Sequence, residues 1–155
     1  MDLPFQIKSA KQMIVFIGIQ ASGKTTFYEE LLACHGFVHI NLDTLHTRAK
    51  EAKALQDCLE SGRSFVVDNT NPQKADRQRY IPLARSYGYE VVGIFFQSRV
   101  KDCIDRNAAR ERAVPQHAVA CTSCKLQMPS YDEGFDQLFF ARIVGDGFEI
   151  TEWKE

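Results

Sequence analysis

The chain has 155 residues, 45% of them hydrophobic and 25% charged, which is the composition of one ordinary globular domain with a real core. Its net charge of −1 excludes nucleic-acid binding driven by overall charge, so any basic binding surface has to be local. No apolar run approaches the roughly 20 residues that span a bilayer, and "MDLPFQIKSAKQ" at the start has no signal core, which favours a cytoplasmic protein without membrane contact.

Short apolar runs alternate with helix-forming segments along most of the chain. In chain order the predicted elements are strand 12–18, helix 24–34, strand 37–43, helix 44–61, strand 64–68, helix 73–87, strand 90–96 and helix 99–112. A short helix between proline-bounded connections follows in 113–134, and Asp146-Gly147 predicts a hairpin near the end. The pattern predicts a single α/β domain over 1–155, with a parallel sheet and helices on both of its faces.

A phosphate-binding loop is predicted directly after the first strand. Residues Gly18–Thr25 read GIQASGKT, which fits G-x-x-x-x-G-K-[ST] between a strand and a helix, the setting of a P-loop NTPase fold. Lys24 would contact the β- and γ-phosphates, and the Thr25 hydroxyl would bind Mg²⁺. The predicted nucleotide-binding residues here are Gly18, Ile19, Gln20, Ala21, Ser22, Gly23, Lys24, Thr25 and Thr26.

Two carboxylates end the next two predicted strands, and both are expected to lie near the phosphate loop. Asp43 follows the second strand, while Asp68 opens the segment Asp-Asn-Thr-Asn after the third. Because ligands of open α/β sheets bind at the carboxyl ends of the strands, one carboxylate can accept a proton and the other can support Mg²⁺. The alternative for Asp43 is a helix N-cap, since it directly precedes a predicted helix.

A basic segment after the fourth strand predicts a lid. Residues 99–112 carry five basic and three acidic side chains, and Arg106 and Arg110 share a helix face. Positive charge of this kind stabilises a transferring phosphoryl group. A helical lid over approximately 104–134 is the prediction, and a solvated charged helix is the alternative.

A second basic segment, after Pro72, is a candidate for acceptor contacts. Lys74, Arg77, Arg79 and Arg85 stand against Asp76 alone, with Tyr80 among them. Backbone phosphates and a terminal base would use such groups, although exposed helices commonly carry the same pattern.

The five cysteines have no disulfide-framework spacing and are expected to be free thiols. Cys121 and Cys124 have C-x-x-C spacing, but a zinc site needs four ligands, so ordinary helix-face cysteines are favoured over a metal site.

Taken together, GIQASGKTTF, INLDT, VVDNTNP…RQRYI and RNAARERAVP resemble, in this order, the kinase domain of 5′-hydroxyl polynucleotide kinases over about residues 12–144. The resemblance implies ATP and Mg²⁺ as cofactors and a nucleic-acid 5′-OH end as partner. It implies a general base at Asp43, phosphoryl stabilisation by Arg110 and nucleotide binding by Arg106. The implied acceptor-side residues are Asp68, Asn69, Asn71 and Arg77, with Asp68 also a second candidate at the metal.

Two other functions stay open at this point. The same scaffold serves kinases of sugars, antibiotics or aminoacyl-tRNA, and a nucleotide-dependent switch or ATPase would transfer phosphate only to water. The absence of an NKxD-type sequence argues against a GTPase.

Overall fold

The computed structural model describes residues 3–110 and 113–155 and contains one six-stranded sheet. The strand order is β2-β3-β1-β4-β5-β6. The strands are β1 (Gln12–Ile17), β2 (Val38–Ile40), β3 (Phe65–Val67), β4 (Glu90–Phe96), β5 (Gln137–Val144) and β6 (Gly147–Glu152). The first five run parallel, and β6 pairs antiparallel with β5 at the edge. The predicted α/β class and the terminal hairpin are confirmed.

The helices connect these strands by crossovers. The α-helices are α1 (Lys24–Phe27), α2 (Leu42–Leu45), α3 (Arg48–Ser61), α4 (Lys74–Arg77), α5 (Ile81–Ser86), α6 (Val100–Ala108) and α7 (Gln116–Lys125). The first continues as a π-helical turn and a 3₁₀ turn through His35, and another 3₁₀ turn covers Tyr131–Glu133.

Helices cover both faces of the sheet, as predicted. Alternate residues of the buried strand β1 point to opposite sides, so Val15 packs into one core and Phe16 into the other. The first core includes Leu55 from α3 and Ile81 from α5, whereas the second includes Phe27 from α1. With both faces buried, the central strands read as unbroken apolar runs in the sequence.

Three predicted helices differ from those observed, each for a local reason. The predicted helix 24–34 widens into a π turn, which brings Phe27 and Leu32, five residues apart, onto the same buried face. The predicted helix 44–61 is interrupted at His46, which has a left-handed φ of 70° and ends α2. The predicted helix 73–87 is split in two because Pro82, in the first turn of α5, has no N–H to continue α4.

No helix among the described residues has the length and apolar character needed to cross a membrane.

Candidate active site

The phosphate loop joins β1 to α1 and is held at its edges by neighbouring strands. The Gly18 N–H donates to the Thr70 carbonyl at 3.0 Å, and the Ile19 N–H donates to Ser98 Oγ at 3.1 Å. Gly23 has φ 100°, a conformation that residues with a Cβ rarely adopt, and its backbone also lies against Ile143 and Phe148. These contacts tie the loop to the segments that follow β3 and β4.

Lys24 lies at the centre of this loop with only 8% of its surface exposed. Its ammonium donates to the Gly18 carbonyl at 2.9 Å and to the Ile19 carbonyl at 2.8 Å. Burial lowers the pKa of Lys24 to about 8; the charges of Asp68 and Asp43 oppose this shift and that of Arg110 adds to it. Asp43, Asp68 and Arg110 line the same cavity as Lys24 and act on its charge.

Asp68, only 2% exposed, connects the phosphate loop to β2. Its Oδ2 accepts hydrogen bonds from Thr25 Oγ1 at 2.7 Å and from His39 Nε2 at 2.7 Å. Burial alone would raise the pKa of Asp68, but the His39 hydrogen bond, the Lys24 charge and the Thr25 hydrogen bond lower it below its ordinary value. Asp68 therefore carries a negative charge beside the threonine of the loop.

Asp43 lies in the first turn of α2, exposed and facing the same space as the loop. The capping alternative for this residue is wrong: the N-cap of α2 is Asn41, whose Oδ1 accepts from the Asp43 and Thr44 N–H groups at 2.8 and 3.3 Å. Asn41 also donates to the Asp68 carbonyl at 2.9 Å, which ties α2 to the end of β3. The Asp43 carboxylate is thus left available for chemistry.

Asn69 and Asn71 hold the backbone around Asp43 and the loop. Asn69 Oδ1 accepts from the Leu42 N–H at 3.0 Å, and Asn69 Nδ2 donates to the buried Glu51 at 2.8 Å. Asn71 is itself buried and donates to the Phe16 carbonyl at 2.8 Å. Both predicted acceptor-side asparagines therefore support the site through backbone contacts.

The two predicted lid arginines face the loop from α6 and the turn after it. Arg106 Nε donates to the Ala21 carbonyl at 2.7 Å, and Arg110 lines the same space beyond the helix end. The Asn107 side chain of α6 exchanges two hydrogen bonds with the Val114 backbone. Of the predicted basic segment, Glu111 and Arg112 lie outside the described residues.

Many of these groups line one cavity of about 480 Å³, whereas the predicted site residues Gly18, Ile19, Ser22 and Asn71 lie outside its lining. The phosphate-loop part of its lining comprises Gln20, Ala21, Gly23, Lys24, Thr25 and Thr26. The polar lining also includes Asp43, Asp68, Asn69, Arg106 and Arg110. The cavity thus brings together the predicted donor side, the exposed carboxylate and the lid arginines.

Arg77 does not reach this cavity, and its predicted acceptor-side position is wrong. The side chain is completely buried, with Nε and Nη2 donating to Glu133 at 2.7 and 3.1 Å. Its Nη1 donates to the carbonyls of Asn71 and Gln127. Arg77 is a structural residue, since all three guanidinium nitrogens are engaged inside the protein.

In the rest of the second basic segment, Tyr80 and Arg85 contact other parts of the protein, whereas Lys74 and Arg79 are exposed. Tyr80, considered as a platform for a base, is 1% exposed and donates its hydroxyl hydrogen to Glu51. Arg85 pairs with Asp136 at 3.0 Å on the surface. Tyr80 therefore offers no exposed ring on which an acceptor base could stack.

The sequence reasoning missed the terminal hairpin as part of the site. Ile143, Gly145, Asp146, Gly147 and Phe148 line the same cavity as Arg106 and Arg110. The Asp146-Gly147 signal predicted the turn, but nothing local places that turn over the phosphate loop. The contact between His39 and Asp68 was also not predicted. The only signal for it in the sequence is that His39 lies in the strand that precedes Asp43.

Cys121 and Cys124 lie exposed on α7, the helix whose Thr122 accepts a hydrogen bond from Gln20 of the phosphate loop at 3.0 Å. Among residues 3–110 and 113–155, no group of three or more His, Cys, Asp or Glu side chains is arranged to hold a metal ion.

Two oxygen-bearing side chains at the loop, Thr25 and Asp68, are suitable ligands for Mg²⁺. Thr25 Oγ1 and the ionised Asp68 lie 2.7 Å apart on the cavity wall. Mg²⁺ prefers oxygen ligands and keeps several waters, so one or two protein groups with substrate phosphates suffice. These two residues are the ones that would hold it, directly or through water.

Comparisons with known proteins show the family to which the chain belongs. A protein-family profile described as an AAA domain matches residues 13–55 and 51–127. A bifunctional polynucleotide phosphatase/kinase of Schizosaccharomyces pombe is 30% identical over 139 residues, covering 85% of this chain and 34% of that protein. A putative bifunctional polynucleotide phosphatase/kinase of Acanthamoeba polyphaga mimivirus is 31% identical over 154 residues, covering 93% of this chain and 37% of that protein. The chain thus spans about a third of the length of both relatives.

The fold also has solved counterparts. A gluconokinase from Sinorhizobium meliloti superimposes with a TM-score of 0.60 at 18% identity, covering 86% of this chain and 83% of that one. This likeness concerns the fold, and it confirms the predicted P-loop architecture.

Proposed function

The chain belongs to the AAA domain family, and we propose that it is an ATP-dependent kinase that phosphorylates a 5′-hydroxyl end of a polynucleotide. One observation carries the proposal: Lys24, Asp43 and Arg110 line a single cavity, which gives a donor site, an acceptor carboxylate and a cation. The similarity to two polynucleotide phosphatase/kinases over at least 85% of the chain supports this choice of acceptor.

The proposed roles follow from position and chemistry. The N–H groups of the loop and the Lys24 ammonium bind the nucleotide phosphates, and Arg106 acts beside them on the nucleotide side. Asp43 accepts the proton of the 5′-hydroxyl while the hydroxyl oxygen forms a bond to the γ-phosphorus. The bond from that phosphorus to the β–γ bridging oxygen breaks, and ADP leaves. Arg110 stabilises the negative charge spread over the transferring group.

Mg²⁺ would neutralise charge on the nucleotide phosphates when bound. The protein would contribute two groups to this metal site, the Thr25 hydroxyl and the Asp68 carboxylate, which both lie at the phosphate loop. His39 fixes the orientation of that carboxylate through its 2.7 Å hydrogen bond, and it is itself stacked on Tyr28. Asp68 therefore has a supporting role here, while Asp43 is the base.

We also propose that residues 1–155 act as a single kinase domain in the cytoplasm, with approximately 104–134 as its lid. The Asn107–Val114 hydrogen bonds and the Gln20–Thr122 contact support a lid that communicates with the phosphate loop. Free cysteines, including the exposed Cys34, Cys121 and Cys124, suit a reducing compartment.

The experiment that tests the function supplies γ-labelled ATP with a 5′-OH oligonucleotide, a panel of sugars, or no acceptor. Label in the oligonucleotide is the expected result. Label in a sugar would assign a small-molecule kinase instead, and free phosphate alone would assign an ATPase.

Lys24→Ala serves as the loss-of-function variant in that assay and should weaken ATP binding and stop transfer, because the phosphates lose their central cation. Lys53→Ala, which removes an exposed lysine of α3, is the matched control and should behave as the wild type.

A further inference from the structure

The pair of cysteines on α7 has no part in the proposed mechanism. Cys121 and Cys124 are both free thiols, and both are exposed. They lie three residues apart within the helix, so their side chains are neighbours on its surface. An oxidant can therefore reach either thiol, and each thiol has a second one beside it.

The inward side of α7 contacts the phosphate loop at two points. Val119 is completely buried and belongs to the same apolar cluster as Ile19 of the loop. Thr122, which lies between the two cysteines in sequence, accepts a hydrogen bond from Gln20 Nε2 at 3.0 Å. Gln20 also lines the nucleotide cavity. A change in the turn that contains the cysteines would therefore act directly on the loop that binds the phosphates.

The helix brings the two thiols near each other but not to bonding distance. Residues three apart in an α-helix have Cα atoms about 5 Å apart, inside the roughly 4.4–6.8 Å range of disulfides. Their Cβ atoms are about 5–6 Å apart, however, and a disulfide needs about 3.5–4.5 Å. A disulfide between Cys121 and Cys124 therefore requires the end of α7 to deform. The carbonyls of a last helical turn make no α-helical hydrogen bonds, so this turn can deform without breaking the rest of the helix.

The segment that contains the cysteines is held on both sides. Val119 is buried on its N-terminal side. On its C-terminal side, the Gln127 N–H donates to the Pro72 carbonyl at 2.6 Å. Because both flanks are held, a deformation that joins the two thiols falls on the residues between these anchors, and Thr122 is one of them. The hydrogen bond from Gln20 to Thr122 is therefore the contact that such a deformation would disturb.

We propose that Cys121 and Cys124 form a reversible disulfide when the protein is exposed to a peroxide, and that this modification weakens nucleotide binding through Thr122 and Gln20. The inference rests on the proposed function for the role of the nucleotide site, and it assigns that site a redox control. Disulfides of proteins in reducing compartments are usually transient and redox-sensing. A disulfide that deforms its helix is also readily reduced, so thiols reverse the modification.

The oxidation consumes one peroxide for each pair of thiols. The sulfur of one cysteine attacks a peroxide oxygen, the O–O bond breaks, and the thiol proton leaves with the departing oxygen as water or an alcohol. The sulfur is left as a sulfenic acid. The second thiol attacks this sulfur, so that the S–S bond forms, the S–O bond breaks, and the hydroxyl leaves with the second thiol proton as water. The two sulfurs are oxidised and the peroxide is reduced.

The first test treats the reduced protein with hydrogen peroxide and digests it with trypsin in the absence of reducing agent. Both cysteines fall in the peptide 113–125, which contains no other cysteine. Mass spectrometry should show that this peptide loses the mass of two hydrogen atoms and regains it with dithiothreitol. An unchanged peptide, two separately oxidised thiols, or a bond to another peptide would each overturn the assignment.

The second test measures the Kd for ATP with Mg²⁺ by equilibrium titration, which needs no acceptor. The oxidised wild type should bind ATP about two- to tenfold more weakly than the reduced protein, the effect of one hydrogen bond. Cys121→Ser and Cys124→Ser should bind ATP like the reduced wild type and lose the response to peroxide. Cys34→Ser removes another exposed cysteine and is the control that should keep the response. A disulfide-bonded wild type with the affinity of the reduced protein would overturn the coupling.

Thr122→Val tests the connection between the cysteines and the loop. The variant removes the oxygen that accepts from Gln20, so its reduced form should already show a Kd for ATP raised by about two- to tenfold. Peroxide should then add little. Wild-type affinity in the reduced Thr122→Val protein would overturn the route through this hydrogen bond.

The failures of the two proposals are distinguishable. A reduced wild type that binds ATP but labels no 5′-OH acceptor overturns the proposed function and leaves the redox control of ATP binding in place. A kinase whose Kd for ATP is the same before and after complete disulfide formation overturns the redox control alone.

Discussion

Two basic segments of this protein look alike in sequence and differ in what their arginines do. One is α6 with the turn after it, and the other is the α4–α5 segment; each follows a buried strand and carries several basic side chains. In the first, Arg106 and Arg110 face the central cavity. In the second, Arg77 is buried against Glu133 and Arg85 pairs with Asp136.

The difference comes from carboxylates that are remote in sequence. Glu133 and Asp136 follow Arg77 and Arg85 by more than fifty residues and lie beside them only after β5 has joined the sheet. A buried guanidinium needs such a partner, because desolvating an unpaired charge costs several kcal/mol. In these two segments, the fold pairs Arg77 and Arg85 with carboxylates and leaves Arg106 and Arg110 facing the cavity.

The largest expected effect is a loss of turnover when Arg110, in the segment that faces the cavity, is replaced. Arg110→Ala should lower kcat by about 10²–10³-fold, because the cation that stabilises the transferring phosphoryl group is lost. Its stability in urea should change by no more than about 0.5 kcal/mol, as for other exposed positions. Steady-state kinetics with ATP and a 5′-OH oligonucleotide measure the first quantity.

Lys101→Ala, on the exposed face of α6, is the matched control and should keep wild-type turnover. A fully active Arg110→Ala protein would remove the distinction between the two segments.

Arg77→Ala should lower the stability of the protein and leave its kinetics unchanged, the opposite of Arg110→Ala. Breaking its buried pair leaves Glu133 unpartnered, and the free energy of unfolding should fall by about 3–5 kcal/mol. Below the unfolding transition, KM for the acceptor should stay that of the wild type. Urea denaturation measures the stability, and Arg79→Ala, at an exposed position, is the control. A raised KM for the acceptor in the folded Arg77→Ala protein would show that Arg77 contributes to acceptor binding after all.

The smallest effect is expected at the surface pair. Arg85→Ala removes a partly exposed ion pair with Asp136 and should cost no more than about 1 kcal/mol of stability, with unchanged kinetics. A thermal unfolding curve is sufficient to test this. A loss as large as that of Arg77→Ala would show that exposure does not separate the two arginines.

The donor side of the site was predictable because its signal is contiguous. The glycines, the lysine and the threonine of the motif all lie within the eight residues GIQASGKT, and Gly23 provides the left-handed turn into α1. The alternation of apolar runs likewise predicted the order of strands and helices. The breaks at His46 and Pro82 were missed because the hydrophobic period continues across them.

The acceptor side was less predictable because its contacts are long-range. The base candidate Asp43 was found from its place after β2, but the cap on its helix comes from Asn41, and its framework comes from Asn69 and Glu51. The terminal hairpin that lines the cavity and the pairing of Arg77 with Glu133 depend on β5 joining β4. No short window of sequence contains both members of such a contact.

The most direct test of the central claim is the rate of phosphoryl transfer in Asp43→Asn, measured in single turnover with saturating ATP and a 5′-OH oligonucleotide. The substitution keeps the size of the side chain and removes its ability to take a proton. We predict a rate lower by about 10²–10⁴-fold with the affinity for ATP unchanged. Transfer at the wild-type rate would contradict the account, because the cavity would then contain no base at residue 43.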